Sequence, residues 1–377
     1  MRNSRSLLKF YFILLLFVIL IIGCGVKSQY ITSARIYMGL SPPDYEKALE
    51  QLKLELEHSP DNAEAYYLLG TIYSRKYDNE KMVEAFLKCK SLDPKWNSNI
   101  DDIISEKWIS AFNSGVSFAS RDSVKKALEK FETAILLDST KYEAWLNGGV
   151  QAMKLNDCQK GMSFLDKAYQ LKPEDILILN TYAQVSFNCR EYAKSLETYL
   201  KVKEKDPKNV NVLVNIAMIY EQTEQPDSAL VIYSRIIEID PEYRDAYFNR
   251  GGLDWNRAQG IYKYLVDIRD QLENDPNTQT LIDSSKVLIE KQKELFSKAE
   301  KDFEKTLELD PQDQEAMQFL AYCLLSLDET DKAIGVLKQW IELDPVNKDA
   351  WSSLAIAYTK KGMKKEAEEA QKKAEGR

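Results

Sequence analysis

Few residues in this chain have side chains suited to covalent or metal chemistry: one histidine, His58, and five cysteines. A catalytic Ser-His-Asp or Cys-His site needs a histidine beside the nucleophile, and zinc sites draw on several Cys and His ligands. His58 lies in the turn-forming stretch His58-Ser59-Pro60 and has no second histidine to join it. Acidic residues are plentiful, so carboxylate chemistry stays open in principle, but no acidic pair stands apart from charged helix surface. The sequence predicts no enzyme, no cofactor, no metal and no small-molecule substrate.

The first of the five cysteines, Cys24, follows an N-terminal apolar run. Three basic residues precede the apolar stretch 10–22, an order typical of a secretory signal peptide. The stretch Ile21-Ile22-Gly23-Cys24 resembles the lipobox of bacterial lipoproteins, with Ile where Leu is commoner. The resemblance implies removal of a signal peptide, residues 1–23, and lipidation of Cys24. The alternative is an uncleaved membrane helix, for which the run is somewhat short.

The charge of the chain bears on its partners. The formal net charge is −8, and the residues after the signal peptide are more acidic still, because the first 23 carry only basic charges. Nucleic acids bind clustered Lys and Arg, so an acidic body predicts no nucleic-acid partner. It also argues against broad adhesion to anionic lipid, which leaves the lipid anchor as the predicted membrane contact.

Prolines recur at a fixed interval of 34 residues through the rest of the chain. A proline stops the helix before it, so the spacing predicts a repeated helical unit. The same interval separates Pro60 from Pro94, Pro173 from Pro207, Pro207 from Pro241, and Pro311 from Pro345.

Between these prolines each unit has the pattern of a helix, a turn and a second helix. Residues 63–73 resemble the first helix of a tetratricopeptide repeat (TPR), and Ala127, Phe131 and Ala134 resemble its second helix. The resemblance implies an all-α, right-handed superhelical solenoid over residues 24–377, in which small residues let paired helices approach closely. The predicted parts are a degenerate first repeat at 29–60 and further repeats at 61–257 and 295–377.

Two extra segments interrupt the period. Eleven additional residues near 96–107 are predicted to lengthen the start of the following helix. A longer excess between Pro241 and Pro311 has apolar residues at helical spacing on both sides of Asn274-Asp275-Pro276-Asn277, a turn signal. We therefore predict an inserted long helical hairpin at 258–294.

The family resemblance also implies where a partner binds. In tetratricopeptide proteins, the inward positions of the first helices line a concave groove suited to a peptide or helix. Phe187 and Trp255 are expected to be exposed there, whereas Leu146 and Val150 could equally pack between repeats. The predicted groove residues are Phe112, Leu146, Val150, Met153, Asn180, Gln184, Phe187, Met218, Phe248, Trp255 and Tyr322.

Two polar patterns of the family bear on how a peptide is held in the groove. Asn147, Asn215 and Asn249 resemble an asparagine ladder that holds peptide backbone, although asparagine is also common there for structural reasons. The lysine of the clamp that captures chaperone tails is missing from the fifth position of every repeat.

Two further cysteines are candidates for a disulfide. Cys158 opens the second helix of one repeat and Cys189 closes the first helix of the next, which brings both to one edge of the array. A disulfide forms where the compartment is oxidising and the Cα atoms come within roughly 7 Å. Cys89 and Cys323 are instead predicted to pack as small buried residues.

These features together favour a protein-binding scaffold over an enzyme. The sequence predicts a lipid-anchored protein of the bacterial cell envelope, at the outer membrane facing the periplasm, whose partners are other proteins or peptides. Gly25, rather than Asp, follows Cys24, as in lipoproteins sorted to the outer membrane. The alternative is an accessory or regulatory subunit that recognises one secreted protein through the inserted hairpin.

Overall fold

The computed structural model describes residues 28–376, so the predicted signal peptide and Cys24 lie outside the described residues. The chain divides into two compact units, residues 1–178 and 179–377. The described part of the first unit contains α1 (Gln29–Met38), α2 (Tyr45–His58), α3 (Ala63–Arg75), α4 (Asn79–Leu92), a short 3₁₀ helix (Pro94–Trp96), α5 (Asn97–Ser120), α6 (Val124–Leu137), α7 (Tyr142–Lys154), α8 (Cys158–Leu171) and the start of α9 (Ile176–Asn188).

The second unit takes in the rest of α9 and continues as helices through its described part. These helices are α10 (Tyr192–Lys205), α11 (Val210–Gln222), α12 (Pro226–Ile239), α13 (Arg244–Asn274), α14 (Gln279–Leu309), α15 (Gln314–Ser326), α16 (Thr330–Leu343), α17 (Lys348–Lys360) and α18 (Lys364–Ala374). No strand occurs between residues 28 and 376, so the predicted all-α repeat fold is confirmed. Within that stretch no helix has the length and apolarity to cross a bilayer.

Helices pair in chain order because small residues on one helix admit a large side chain from the next. A Cβ added to Gly70 of α3 would lie 2.3 Å from the ring of Phe86 in α4, which is fully buried. Gly115 of α5 meets the buried Phe131 of α6 in the same way, at 2.7 Å. Glycine is therefore required at both positions by close packing rather than by backbone conformation.

In seven of the nine helix pairs of the described chain, the turn between the two helices adopts one repeated conformation. Two residues after the first helix ends, the backbone enters the left-handed region, as at Asn156 (φ 61°) and Gly362 (φ 78°). Such a conformation is strained for side chains other than glycine. Six other than glycine adopt it between residues 28 and 376: Tyr77, Asp122, Asn156, Arg190, Glu224 and Asp328.

The eleven extra residues of the first unit lengthen a helix at its start, as predicted. Helix α5 has 24 residues, compared with 13 in α3. Trp96, just before α5, stacks on Tyr67 of α3 with ring centroids 4.2 Å apart. Ile100 in the extension is fully buried beside Phe86 of α4. The insertion therefore packs against the preceding helix pair, α3 and α4.

The second insertion, between Pro241 and Pro311, forms the long arms of α13 and α14, which have 31 residues each. Each arm continues a helix of the repeat without a break, and the chain reverses between Asp275 and Thr278. At the base, Phe303 and Leu295 of α14 are buried in a cluster that includes Trp340 of α16. This packing fixes the start of the hairpin to the repeats that follow it.

Candidate functional site

The four predicted groove residues of the first unit divide between the surface and the core. Leu146 is buried, and Met153 lies against Gly161 of α8, inside its own helix pair. Val150 is half-buried, and Phe112 stacks on Trp108 with ring centroids 4.8 Å apart. Leu146 therefore takes the packed alternative of its two expected positions, whereas the groove prediction is wrong for Met153, because its side chain fills the space beside Gly161.

Met218 is the most open apolar residue among the predicted groove positions of the second unit. It is 40% exposed on α11. Gln184 of α9 is also exposed, and its Oε1 accepts a hydrogen bond of 3.1 Å from Tyr199 Oη of α10. Asn180 and Phe187 are half-buried, and the Phe187 ring lies edge-on to Tyr192 at 5.6 Å, so the expectation that Phe187 is exposed is wrong. The accessible part of this surface is thus a methionine and an amide that is already held in place.

The remaining predicted groove residues form an aromatic cluster between α13 and α15. The ring of Phe319 lies 5.0 Å from Trp255 and 6.0 Å from Phe248, both edge-on. Trp255 is half-buried, and its Nε1 is buried without a hydrogen-bond acceptor among the described residues. The expectation that Trp255 is exposed is therefore wrong, because Phe319 packs against it. Tyr322 is half-buried, and its hydroxyl accepts a 3.0 Å bond from Gln318 Nε2.

Two of the three asparagines predicted as a ladder donate hydrogen bonds within the protein. Asn147 Nδ2 donates to Glu143 O at 2.8 Å, and Asn215 Nδ2 donates to Asn211 O at 3.0 Å. Both acceptors lie one turn earlier on the same helix. Asn249 lies near the buried Tyr233 of α12, whose hydroxyl donates a hydrogen bond to Glu221. A ligand that reads peptide backbone would have to displace these contacts, so the structural interpretation of the asparagines fits better.

A polar cluster at the base of the hairpin was not predicted. Arg250 binds Asp302 through two parallel hydrogen bonds, Nε to Oδ2 at 2.8 Å and Nη2 to Oδ1 at 2.7 Å. Its Nη1 also donates to Ser234 Oγ at 3.0 Å. The two residues lie 52 positions apart, because the inserted hairpin separates two helices that pair as in the other repeats. This pair joins α13 to α14 where the arms leave the repeat.

Asp254 lies beside this pair in a different electrostatic setting. It is only 7% exposed and makes no hydrogen bond with the described residues. Its nearest cation is Arg257, with Nη1 3.6 Å from Oδ1, while Arg257 also binds the exposed Asp227 at 2.9 Å. Burial therefore raises the pKa of the Asp254 carboxyl from its ordinary value of 3.8, against a smaller lowering by Arg257.

The cysteines differ in their chemical state. Cys89 and Cys323 are buried free thiols, and burial raises their pKa values to about 11 and about 12, which makes both poor nucleophiles. Cys158 and Cys189 are disulfide-bonded, and their pairing with each other stays a prediction. His58 is exposed, with Nδ1 2.8 Å from Leu54 O. Across residues 28–376, no cluster of His, Cys, Asp and Glu is arranged to hold a metal ion.

Comparisons with known proteins support the repeat assignment. Family models described as tetratricopeptide repeat match residues 63–95, 210–243 and 292–355. Protein O-mannosyl-transferase TMTC1 of Homo sapiens is 29% identical over 144 residues, which is 38% of this chain and 15% of that protein. Hsp70-Hsp90 organizing protein 1 of Glycine max is 24% identical over 246 residues, which is 65% of this chain and 40% of that protein. The matches thus span less than half the length of either relative.

A solved structure agrees at the level of the fold. The C-terminal part of a TPR repeat-containing protein from Cytophaga hutchinsonii has a TM-score of 0.54 and 13% sequence identity, covering 70% of this chain and 93% of that chain. The likeness concerns the fold alone. Tetratricopeptide repeats are therefore present in both units, and the fold is that of a tetratricopeptide solenoid.

Proposed function

We propose that this protein is a scaffold of the bacterial cell envelope that binds other proteins or peptides and is held at the outer membrane by lipid on Cys24. The observation that carries the proposal is the repeat fold itself. Stacked helix pairs leave the faces of their first helices as extended surfaces, which suit protein recognition. The buried thiols, with their raised pKa values, support binding rather than nucleophilic catalysis.

The side chains on these faces favour a partner anchored by apolar groups. Met218 is exposed, and methionine adapts its shape to irregular apolar surfaces. The amides of Asn147 and Asn215 are occupied by their own helices, so they are poorly placed to read peptide backbone. An amphipathic helix that inserts an apolar side chain against Met218 is the best-matched ligand.

Crosslinking in intact cells tests this surface. A photo-reactive residue at Met218 is expected to capture one protein, while the same residue at Val346, 84% exposed in the same unit, is the matched control. Burying a methionine side chain contributes about 1.5–3 kcal/mol, so Met218→Ala should weaken binding of the captured protein roughly tenfold or more. Equal capture from both positions, or full affinity in Met218→Ala, would remove this surface from the proposal.

The lipid anchor needs a separate test. Cells grown with a labelled fatty acid should incorporate the label into the wild-type protein but not into Cys24→Ser, which should also keep its signal peptide uncleaved. Sucrose-gradient fractionation should place the wild-type protein with the outer membrane. Label in Cys24→Ser would contradict lipidation at this cysteine, and an unlabelled wild-type protein that still sediments with membranes would support the uncleaved helix.

A further inference from the structure

The hairpin formed by the outer parts of α13 and α14 has no buried core of its own. Between residues 259 and 294, none of the described side chains is fully buried. The seam between the arms is apolar, with Leu265 and Ile268 on α13 and Leu288 on α14, yet each of them is only half-buried. Two helices alone cannot enclose such a seam, whereas four can.

Large apolar side chains are also exposed at one level of the hairpin. Gln292 Nε2 donates to Ala258 O at 2.9 Å, which sets residue 258 of one arm opposite residue 292 of the other. Six residues further out along each antiparallel arm, Tyr264 lies opposite Lys286, which is next to Val287. Tyr264 and Val287 are 63% and 69% exposed, and Tyr262 is 58% exposed. Exposed apolar groups clustered at one height are typical of a contact surface.

Charge is divided along the hairpin. The outer half, residues 265–285, contains five acidic residues and one arginine, all exposed: Asp267, Arg269, Asp270, Glu273, Asp275 and Asp283. The inner half, residues 258–264 and 286–294, contains four lysines and two glutamates, also exposed: Lys263, Lys286, Glu290, Lys291, Lys293 and Glu294. The tip is therefore acidic and the base is basic.

Several of these charges are uncompensated within the hairpin. Arg269 is paired with Asp270 at 3.0 Å, and Lys286 with Asp283 at 3.4 Å. Five other charges of the two halves form no ion pair with the described residues; they are Lys263 and Lys291 at the base and Asp267, Glu273 and Asp275 near the tip. A partner with the reverse order of charge would satisfy both halves at once.

We propose that this partner is the hairpin of a second copy of the same chain, packed antiparallel so that each acidic tip meets the other copy's basic base. A two-fold axis near the middle of the hairpin, at the level of Asp267, makes every charge contact occur twice and places Tyr264 of each copy in the contact. The result is a four-helix bundle whose core is completed by the two half-buried seams.

The size of the hairpin sets the strength of this contact. Sixteen residues of helix are about 24 Å long, and two adjacent helices are about 20 Å wide, so each copy offers about 500 Å². A total of about 1,000 Å² lies at the lower end of specific interfaces, which corresponds to a weak, reversible dimer with a Kd on the order of micromolar. Its electrostatic part should weaken as salt shortens the range of charge attraction.

Charge reversal tests the antiparallel arrangement. Sedimentation equilibrium of the full-length chain in density-matched detergent gives the Kd of self-association. Reversing the base (Lys263→Glu with Lys291→Glu) or the tip (Asp267→Lys with Glu273→Lys) should each raise Kd about tenfold, since each contact occurs twice and repulsion replaces attraction. Combining the two sets restores complementary charges and should return Kd to within about threefold of the wild-type value.

The combined variant is decisive, because these exposed side chains have no ion pair to lose within the fold. A combined variant that associates more weakly than either reversal, or a wild-type chain that stays monomeric at about 100 μM, would overturn the proposal. In cells that express two differently tagged copies, a photo-crosslinker at Tyr264 should join the two tags. Capture of another protein instead would also overturn it. Neither failure touches the test at Met218, which concerns a different surface.

Discussion

Asp254 offers a direct test of the electrostatics at the hairpin base. The change is Asp254→Asn, which removes the charge and keeps the shape of the side chain. Because burial raises the pKa of this carboxyl, the folded state binds its proton more tightly than the unfolded state does. The ionised form therefore costs stability at neutral pH, and the cost disappears as pH falls through the raised pKa towards 3.8.

The structure sets the size of the expected effect. Asp254 is 7% exposed with no hydrogen bond in the described chain, a situation that costs about 1–3 kcal/mol for a neutral polar group and more for a charged one, so the change to Asn removes only the part that belongs to the charge. Its attraction to Arg257, whose side chain is 34% exposed, offsets up to about 1 kcal/mol. Asp254→Asn should therefore stabilise the second unit by about 1 kcal/mol at pH 7.

Asp302→Asn is the matched control at a neighbouring buried carboxylate. It leaves the Arg250 guanidinium without its charged partner, a loss of about 3–5 kcal/mol for a fully buried pair. Because the Arg250 side chain is 26% exposed, water replaces part of that loss, and about 2–3 kcal/mol of destabilisation is expected. The change from Asp to Asn is thus expected to stabilise the fold at position 254 and to destabilise it at position 302.

Hydrogen exchange followed by mass spectrometry is the suitable assay, because a repeat array need not unfold as one unit. Peptides from α13 and α14 should exchange more slowly in Asp254→Asn and faster in Asp302→Asn at pH 7. Thermal unfolding at lower pH should show the advantage of Asp254→Asn shrinking. Destabilisation by Asp254→Asn at pH 7, or an advantage that grows as pH falls, would refute the reasoning.

Two further predictions follow from packing and from the cysteines. Gly70→Ala should destabilise the protein by about 1–3 kcal/mol, because its Cβ would clash with the Phe86 ring. Gly260→Ala has open space around it and should stabilise the protein by up to about 1 kcal/mol, since alanine favours the helix more than glycine does. Chemical denaturation measures both changes, and equal effects would contradict the packing argument. Peptide mapping without reductant should recover Cys158 and Cys189 joined to each other, and finding either joined to another cysteine would disprove the pairing.

The repeat fold was predictable because its signals are local. Evenly spaced prolines mark the end of each unit, and small residues such as Gly70 and Ala127 mark close helix packing. The signal at 274–277 also placed the reversal of the hairpin between Asn274 and Gln279. Each of these features depends on a few neighbouring residues, so it can be recognised without knowledge of distant contacts.

The surface was harder to predict because position on a helix does not determine exposure. Met153 occupies an inward position by the family pattern, but Gly161 opposite it leaves a gap that the side chain fills. Trp255 is covered by Phe319, which lies on the far side of the insertion in the sequence. The bidentate contact of Arg250 with Asp302 joins two paired helices that the insertion separates by many residues in the sequence. Such contacts follow from register between distant segments, which no local pattern encodes.

The left-handed turns determine how much change the protein can tolerate. Each turn residue other than glycine, for example Tyr77 or Arg190, carries a backbone strain of about 1–2 kcal/mol. Gly362 shows that the last helix pair makes the same turn without that strain. Glycine introduced at the other turns would raise stability in small, nearly independent steps, since each repeat mainly contacts its neighbours. Stability gained in this way would allow the protein to tolerate substitutions that alter its binding surface but destabilise the fold.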